Sequence, residues 1–172
     1  MKKSIDLLNE NETKFLLSLL EDGHKTDSEI AKEIQLSKAS VGRIRKKLES
    51  QKILADYIPV VDLDSFGVKL FAVVLFEWTS FSDAEKTKRM EKEFNTTPHV
   101  VYFAAGESSN NLNYVAVLGF LDLSDYKAFF DEFRKKYANS LGRLETFFIP
   151  SEKILKQDFT DLAKLVLKRV SE

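Results

Sequence analysis

Residues 26–48, TDSEIAKEIQLSKASVGRIRKKL, leave the chain little conformational choice. Thr26 with Glu29 has the spacing of a helix-opening capping box, and Ser37 is a helix N-cap residue. Gln35-Leu36 interrupts between them, so the segment reads as helix, tight turn, helix. The second helix carries one apolar stripe, Val41, Ile44 and Leu48. At about 100° per residue, Ala39, Arg43 and Lys46 cluster opposite that stripe. Ser40 and Lys47 flank them on one side, Gly42 and Lys38 on the other. A helix buried along one edge and basic along the other fits the major groove of duplex DNA. The residues expected to face DNA are Ser37, Lys38, Ala39, Ser40, Arg43, Lys46 and Lys47.

The whole chain has a net charge of −1, which argues against nucleic-acid binding only if charge is evenly spread. Between Ser37 and Lys52 it is not. Lys38, Arg43, Arg45, Lys46, Lys47 and Lys52 face a single acid there, Glu49. Attraction to phosphate acts over about 8–10 Å at physiological salt, so the local patch matters more than the total. Arg43 has the chemistry for a bidentate pair with guanine, and Ala39 for contact with a thymine methyl. Lys46 and Lys47 lie further along the helix, nearer the phosphates.

Around this segment the periodicity gives the rest of the architecture. Leu8, Phe15, Leu16, Leu19 and Leu20 form a first helical stripe, with Asn9 and Glu12 spaced as a capping box and Asp22-Gly23 as its stop. Ile53 to Val61 reads as a short extended segment, and Asp64 to Gly67 as a loop. After Gly67 the period changes. Strands are expected at Lys69–Trp78, Val100–Ala105, Tyr114–Phe120 and Leu144–Ile149. Ser82 with Glu85 is expected to open one helix, which Pro98 ends, and Ser124 to cap another, with Gly142 as a helix C-cap glycine. The order strand, helix, strand, strand, helix, strand is the ferredoxin-like split βαβ pattern. A final helix over Asp158–Val170 places Phe159, Leu162, Ala163, Val166 and Val170 on one side. The fold class is therefore α+β. It comprises an N-terminal winged helix-turn-helix (residues 1–53), a linker with a short strand (54–67), a ferredoxin-like βαββαβ domain (68–150) and a C-terminal helical extension (151–172).

The first and third strands of the second domain are apolar on both parities, Leu70 to Phe76 and Tyr114 to Leu118. Two helices cover one face of a sheet only, so the other face needs a partner. A second copy of the sheet is the simplest source, which predicts a homodimer through this domain. The final helix is the alternative cover.

These elements, at these spacings, resemble the Lrp/AsnC ("feast/famine") family of transcriptional regulators. The resemblance runs from Leu8 to Pro150. It is carried by Phe15-Leu16, Leu19 and Asp22-Gly23, by Asp27, Glu29-Ile30-Ala31, by Leu36-Ser37, Lys47-Leu48-Glu49 and Ile53, by Asp62 to Gly67, and by Pro98, Val100 and Gly106. It implies a RAM/AsnC-type second domain. It also implies a sequence-specific regulator that binds double-stranded DNA as a homodimer or higher oligomer, with a small-molecule effector held near the hairpin. Gly106, Glu107 and Asn113 are the effector-site candidates. Two departures are visible. Ile44-Arg45 stands where the family has Arg then an aliphatic residue, which puts Arg45 at the margin of the apolar stripe as a snorkelling side chain. Gly106 is followed by a longer polar loop, with Asn113 where the family's aspartate would fall, so the effector class stays open.

Other chemistry is thinly supported. There is no cysteine, hence no disulfide, thiolate nucleophile or zinc finger. His24 and His99 lack a second ligand at metal spacing. No phosphate loop, triad or paired-carboxylate arrangement is visible, so neither a cofactor nor a catalytic residue is expected. Siroheme decarboxylases share the architecture but resemble one another around a His-Asn-Tyr segment, where this chain has Val101-Tyr102-Phe103. A non-specific architectural DNA-binding protein is the other alternative. The longest apolar run, Leu70–Phe76, is strand-sized and no signal-peptide core follows Met1, so a cytoplasmic protein without a membrane partner is expected.

Overall fold

The computed structural model describes residues 8–55, 57 and 61–171. They fall into two compact units, one made of residues up to 57 together with 156–171, the other of residues 61–155.

The first unit contains α1 (Glu10–Glu21), α2 (Asp27–Glu33), α3 (Lys38–Ser50) and α6 (Thr160–Ser171). Both expected capping boxes are present: Asn9 and Glu12 exchange bonds at the start of α1, as do Thr26 and Glu29 at the start of α2. Ser37 caps α3 by accepting the Ser40 N–H. Each box satisfies two of the backbone groups that a helix end leaves bare. The helix-turn-helix bend is a Schellman motif. Gln35 adopts a left-handed φ of 56°, and the Leu36 N–H reaches the Ala31 carbonyl at 2.9 Å. α3 ends the same way, with Lys52 at φ 55° and the Ile53 N–H on the Leu48 carbonyl at 2.9 Å. Phe15, Ile30, Val41 and Leu48 are fully buried at the centre of the unit. Each such side chain contributes about 1.5–3 kcal/mol of burial free energy. Residues 53–55 and 57 are irregular, and the remainder of the extended segment expected over 53–61 lies largely outside the described residues.

α6 packs on α1 in this unit, and its inward residue is Leu167, buried to 6% exposure. Of the residues expected on one side of this helix, Phe159 is 80%, Leu162 59% and Val166 38% exposed, and Ala163 is half-buried. The apolar arc of α6 spans both sets, and α1 covers only the edge that carries Leu167.

The second unit contains β1 (Leu70–Trp78), α4 (Ala84–Thr96), β2 (Val100–Ala105), β3 (Tyr114–Phe120), α5 (Leu123–Lys136) and β4 (Leu141–Pro150), followed by a single 3-10 turn. The strands lie in the order β2-β3-β1-β4 with every neighbouring pair antiparallel, the expected ferredoxin-like arrangement. In this register Val74 lies between Ala116 and Thr146, and Phe76 between Tyr114 and Leu144. The face bearing Ala72, Val74, Phe76 and Trp78 is buried with Met90 and Phe94 of α4 and Phe130 and Phe133 of α5. Phe76 is the hub, its ring 5.3 Å from Tyr114, 5.5 Å from Phe94 and 5.9 Å from Phe133. Trp78 buries its indole and still donates its N–H to Thr87 at 2.9 Å.

Several boundaries differ from expectation, among them β4, which begins at Leu141 and not at Leu144. α4 is capped by Asp83 and α5 by Asp122, not by Ser82 and Ser124. A carboxylate accepts backbone N–H groups more strongly than a hydroxyl at a positive helix end, and Asp122 accepts two, from Ser124 and Asp125. Gly142 is not a C-cap. α5 is closed by its C-cap Tyr137, and Gly142 lies in β4, where the Glu77 carboxylate accepts the neighbouring Arg143 N–H; a Cβ at Gly142 would collide with Glu77 Oε2.

Candidate nucleic-acid interface

α3 is fastened along one edge and bare along the other. Val41 and Leu48 are fully buried, and Ile44 packs beside them. On the opposite side Ser37, Lys38, Ala39, Arg43, Lys46 and Lys47 are exposed, with Ser40 half-buried between them. The N-terminal turn is internally organised. The Ser37 hydroxyl accepts the Ser40 N–H at 3.1 Å and meets the Ser40 hydroxyl at 2.9 Å, and Arg43 extends back toward that hydroxyl at 3.5 Å. Arg43 is thus presented near the end of α3 that would enter a groove first.

Two cations of the same helix are not on that open face in the same sense. Arg45 does not snorkel to solvent. Its Nε donates to Asp27 Oδ1 at 2.7 Å, it bonds the Tyr57 hydroxyl, and its guanidinium sits 5.1 Å from the centre of the Phe15 ring. Lys47 donates to Glu12 Oε1 at 2.5 Å. Asp27, Tyr57 and Glu12 were not expected from the sequence as partners of the ridge. Glu12 lies 35 residues from Lys47, and no local spacing reports such a pair.

The second candidate region lies on the other unit. An open cleft of about 640 Å³ is lined by Glu77, Trp78, Phe81, Gly106, Glu107 and Asn113, among others. Asn113 is committed to the sheet: its side-chain carbonyl accepts the Trp78 N–H at 2.8 Å and its amide donates to the Trp78 carbonyl at 3.2 Å. Gly106 closes the hairpin by donating to the Asn113 carbonyl at 2.9 Å. Ser108 turns the loop by accepting the Leu112 N–H at 3.0 Å. Of the three candidates, Glu107 alone has a side chain that none of these hairpin bonds occupies. His99 packs against Phe120 and meets Phe129 edge to face, with Nε2 4.0 Å from Asp125. Among the described residues no group of side chains could hold a metal ion, and no helix is long and apolar enough to cross a membrane.

No family model matches the sequence, and no curated protein matches it significantly. Solved structures do match. An AsnC family transcriptional regulator from Agrobacterium tumefaciens aligns at 21% identity and a TM-score of 0.76, over 87% of this chain and 94% of that one. A transcriptional regulator from Neisseria meningitidis, solved with L-methionine, aligns at 19% identity and 0.75, over 89% and 95%. AsnC of Escherichia coli aligns at 10% identity and 0.72, over 88% and 98%. This chain has the AsnC/Lrp fold. In that fold the α3 ridge belongs to the helix-turn-helix unit, and the cleft at Gly106 and Asn113 belongs to the ferredoxin-like unit.

Proposed function

We propose that this chain is a sequence-specific, DNA-binding transcriptional regulator of the Lrp/AsnC type. The observation that carries the reading is the exposed ridge of Lys38, Arg43 and Lys46 on a third helix that is capped, and buried along its opposite edge. Three capped helices with this exposure pattern are what a major-groove reader needs: one edge for the core, one for bases and phosphates. Ser37, Lys38, Ala39, Ser40 and Arg43, nearest the N-terminal end, are assigned to bases and adjoining phosphates, and Lys46 to phosphates further along. The protein acts as a homodimer, or as a higher oligomer of dimers, in the cytoplasm. The dimer joins through the sheet face opposite the helices, where Tyr102 is 52% and Phe147 67% exposed. Two copies of α3 then address half-sites about one helical turn apart, or a multiple of it. A small-molecule effector occupies the cleft at Gly106 and Glu107; that a regulator of the same fold has been solved with L-methionine supports an effector of this size.

Selection of bound DNA from random duplexes tests this. A near-palindromic motif with regular half-site spacing is the expected result. Binding that depends on salt but enriches no motif would instead favour a non-specific architectural protein.

A further inference from the structure

The ridge on α3 carries more positive charge than it offers to DNA. Lys38, Arg43 and Lys46 are exposed and make no ion pair among the described residues. Lys47 is different. Its ammonium donates to Glu12 Oε1 at 2.5 Å, and the Glu12 side chain is 2% exposed. The other Glu12 oxygen, Oε2, accepts the Asn9 backbone N–H at 3.0 Å. This carboxylate lies in the first turn of α1, where the helix end favours negative charge. It is nevertheless buried, and a buried carboxylate stripped of its cation is strongly disfavoured. If Lys47 swung out to a phosphate, it would strand Glu12. Leu48, the neighbour of Lys47, is fully buried, so the backbone at this point cannot shift to serve both partners.

We infer that Lys47 is a positioning residue, which through Glu12 fixes the roll of α3 on α1 and thereby aims Lys38, Arg43 and Lys46. The inference rests on the DNA-binding reading of α3. It separates two roles that the sequence presents as one basic run. Arg45 serves the same purpose toward α2, through Asp27, with Phe15 beneath its guanidinium.

The test uses the full chain and a mixed-sequence duplex, titrated over a series of salt concentrations. Each variant is measured well below its own melting midpoint. Lys46→Ala is the phosphate-contact control, and it lowers the slope of log K against log salt by about 0.9 for each helix engaged. Lys47→Met is expected to weaken binding several-fold with the wild-type slope. Glu12→Gln is expected to do the same, although it releases a cation. The double variant binds no more weakly than either single one, because both break one contact. Lys47→Arg, which keeps the pair, restores affinity. Melting without DNA gives a second readout: both single variants melt below wild type, Lys47→Met the lower because it strands the buried carboxylate, and the double variant, which also removes that charge, recovers part of the loss.

Three results would overturn the inference. They are a loss of slope in Lys47→Met equal to that in Lys46→Ala, tighter DNA binding by Glu12→Gln, or unchanged melting in both single variants. Failure of the wild-type chain to bind duplex even in dilute buffer would remove the DNA-binding reading itself, a result distinct from those three.

Discussion

Asn113, a candidate for the effector site, also ties two strands together. Its amide supplies one acceptor and one donor to the same backbone unit, the N–H and carbonyl of Trp78. An aspartate has the acceptor but not the donor, and would set a carboxylate oxygen against the Trp78 carbonyl. Asn113→Asp is therefore expected to cost about 1–3 kcal/mol, measured by denaturant unfolding. Equal stability would mean that the loop simply turns the side chain to water. The sequence placed Asn113 on the hairpin but left its partner hidden, because Trp78 lies 35 residues away and only the strand register brings the two together. A second residue-scale expectation concerns Lys52. It holds φ 55°, a conformation that costs a residue with a Cβ roughly 1–2 kcal/mol. Lys52→Gly is expected to raise thermal stability, by up to about 1 kcal/mol after glycine's own entropic cost. A lower melting temperature would show instead that the lysine stem contributes packing that outweighs the strain.

Elements with strong local signals were legible, and those decided by tertiary packing were not. α1, α2 and α3 begin where their Asn9, Thr26 and Ser37 caps stand. β2 and β3 match their expected ends, because Pro98, Gly106 and the polar loop punctuate them. α4 and α5 were misplaced by a residue or two, since a Ser and an Asp both stand at each start, adjacent at Ser82-Asp83 and two apart at Asp122 and Ser124, and only geometry selects the cap. The edge by which α6 is seated was left open for a different reason. Leu162, Leu165, Val166 and Leu167 are all apolar, so periodicity cannot say which edge meets α1. The structure makes a sharp distinction among them. Leu167→Ala removes a buried contact and is expected to destabilise the helical unit by about 2 kcal/mol or more. Leu162→Ala, at a position 59% exposed, should change it by less than about 0.5 kcal/mol. Melting curves of the two variants decide this, and the reverse order would mean that α6 is seated on α1 by its other edge.

At the scale of the whole molecule the ferredoxin-like sheet has one satisfied face and one that is not. Val73, Leu75, Val115 and Val117 line the second face at partial exposure, with Tyr102 and Phe147 standing open beside them. A specific interface buries about 1,200–2,000 Å² in total, a size that a four-stranded face of aliphatic and aromatic residues can supply when it meets its own copy. The contact would be isologous, so a charge placed on it would meet its own image. Phe147→Glu should therefore act twice, by removing an exposed ring and by setting two carboxylates close together across the two-fold axis. The variant is expected to sediment as a monomer under conditions where the wild-type chain is a dimer, with its far-UV spectrum unchanged. It should also lose the advantage of engaging two half-sites together, and so bind a full site about 10²-fold or more weakly while binding a lone half-site as before. A variant that stays dimeric, with full-site affinity intact, would place the dimer contact elsewhere on the molecule.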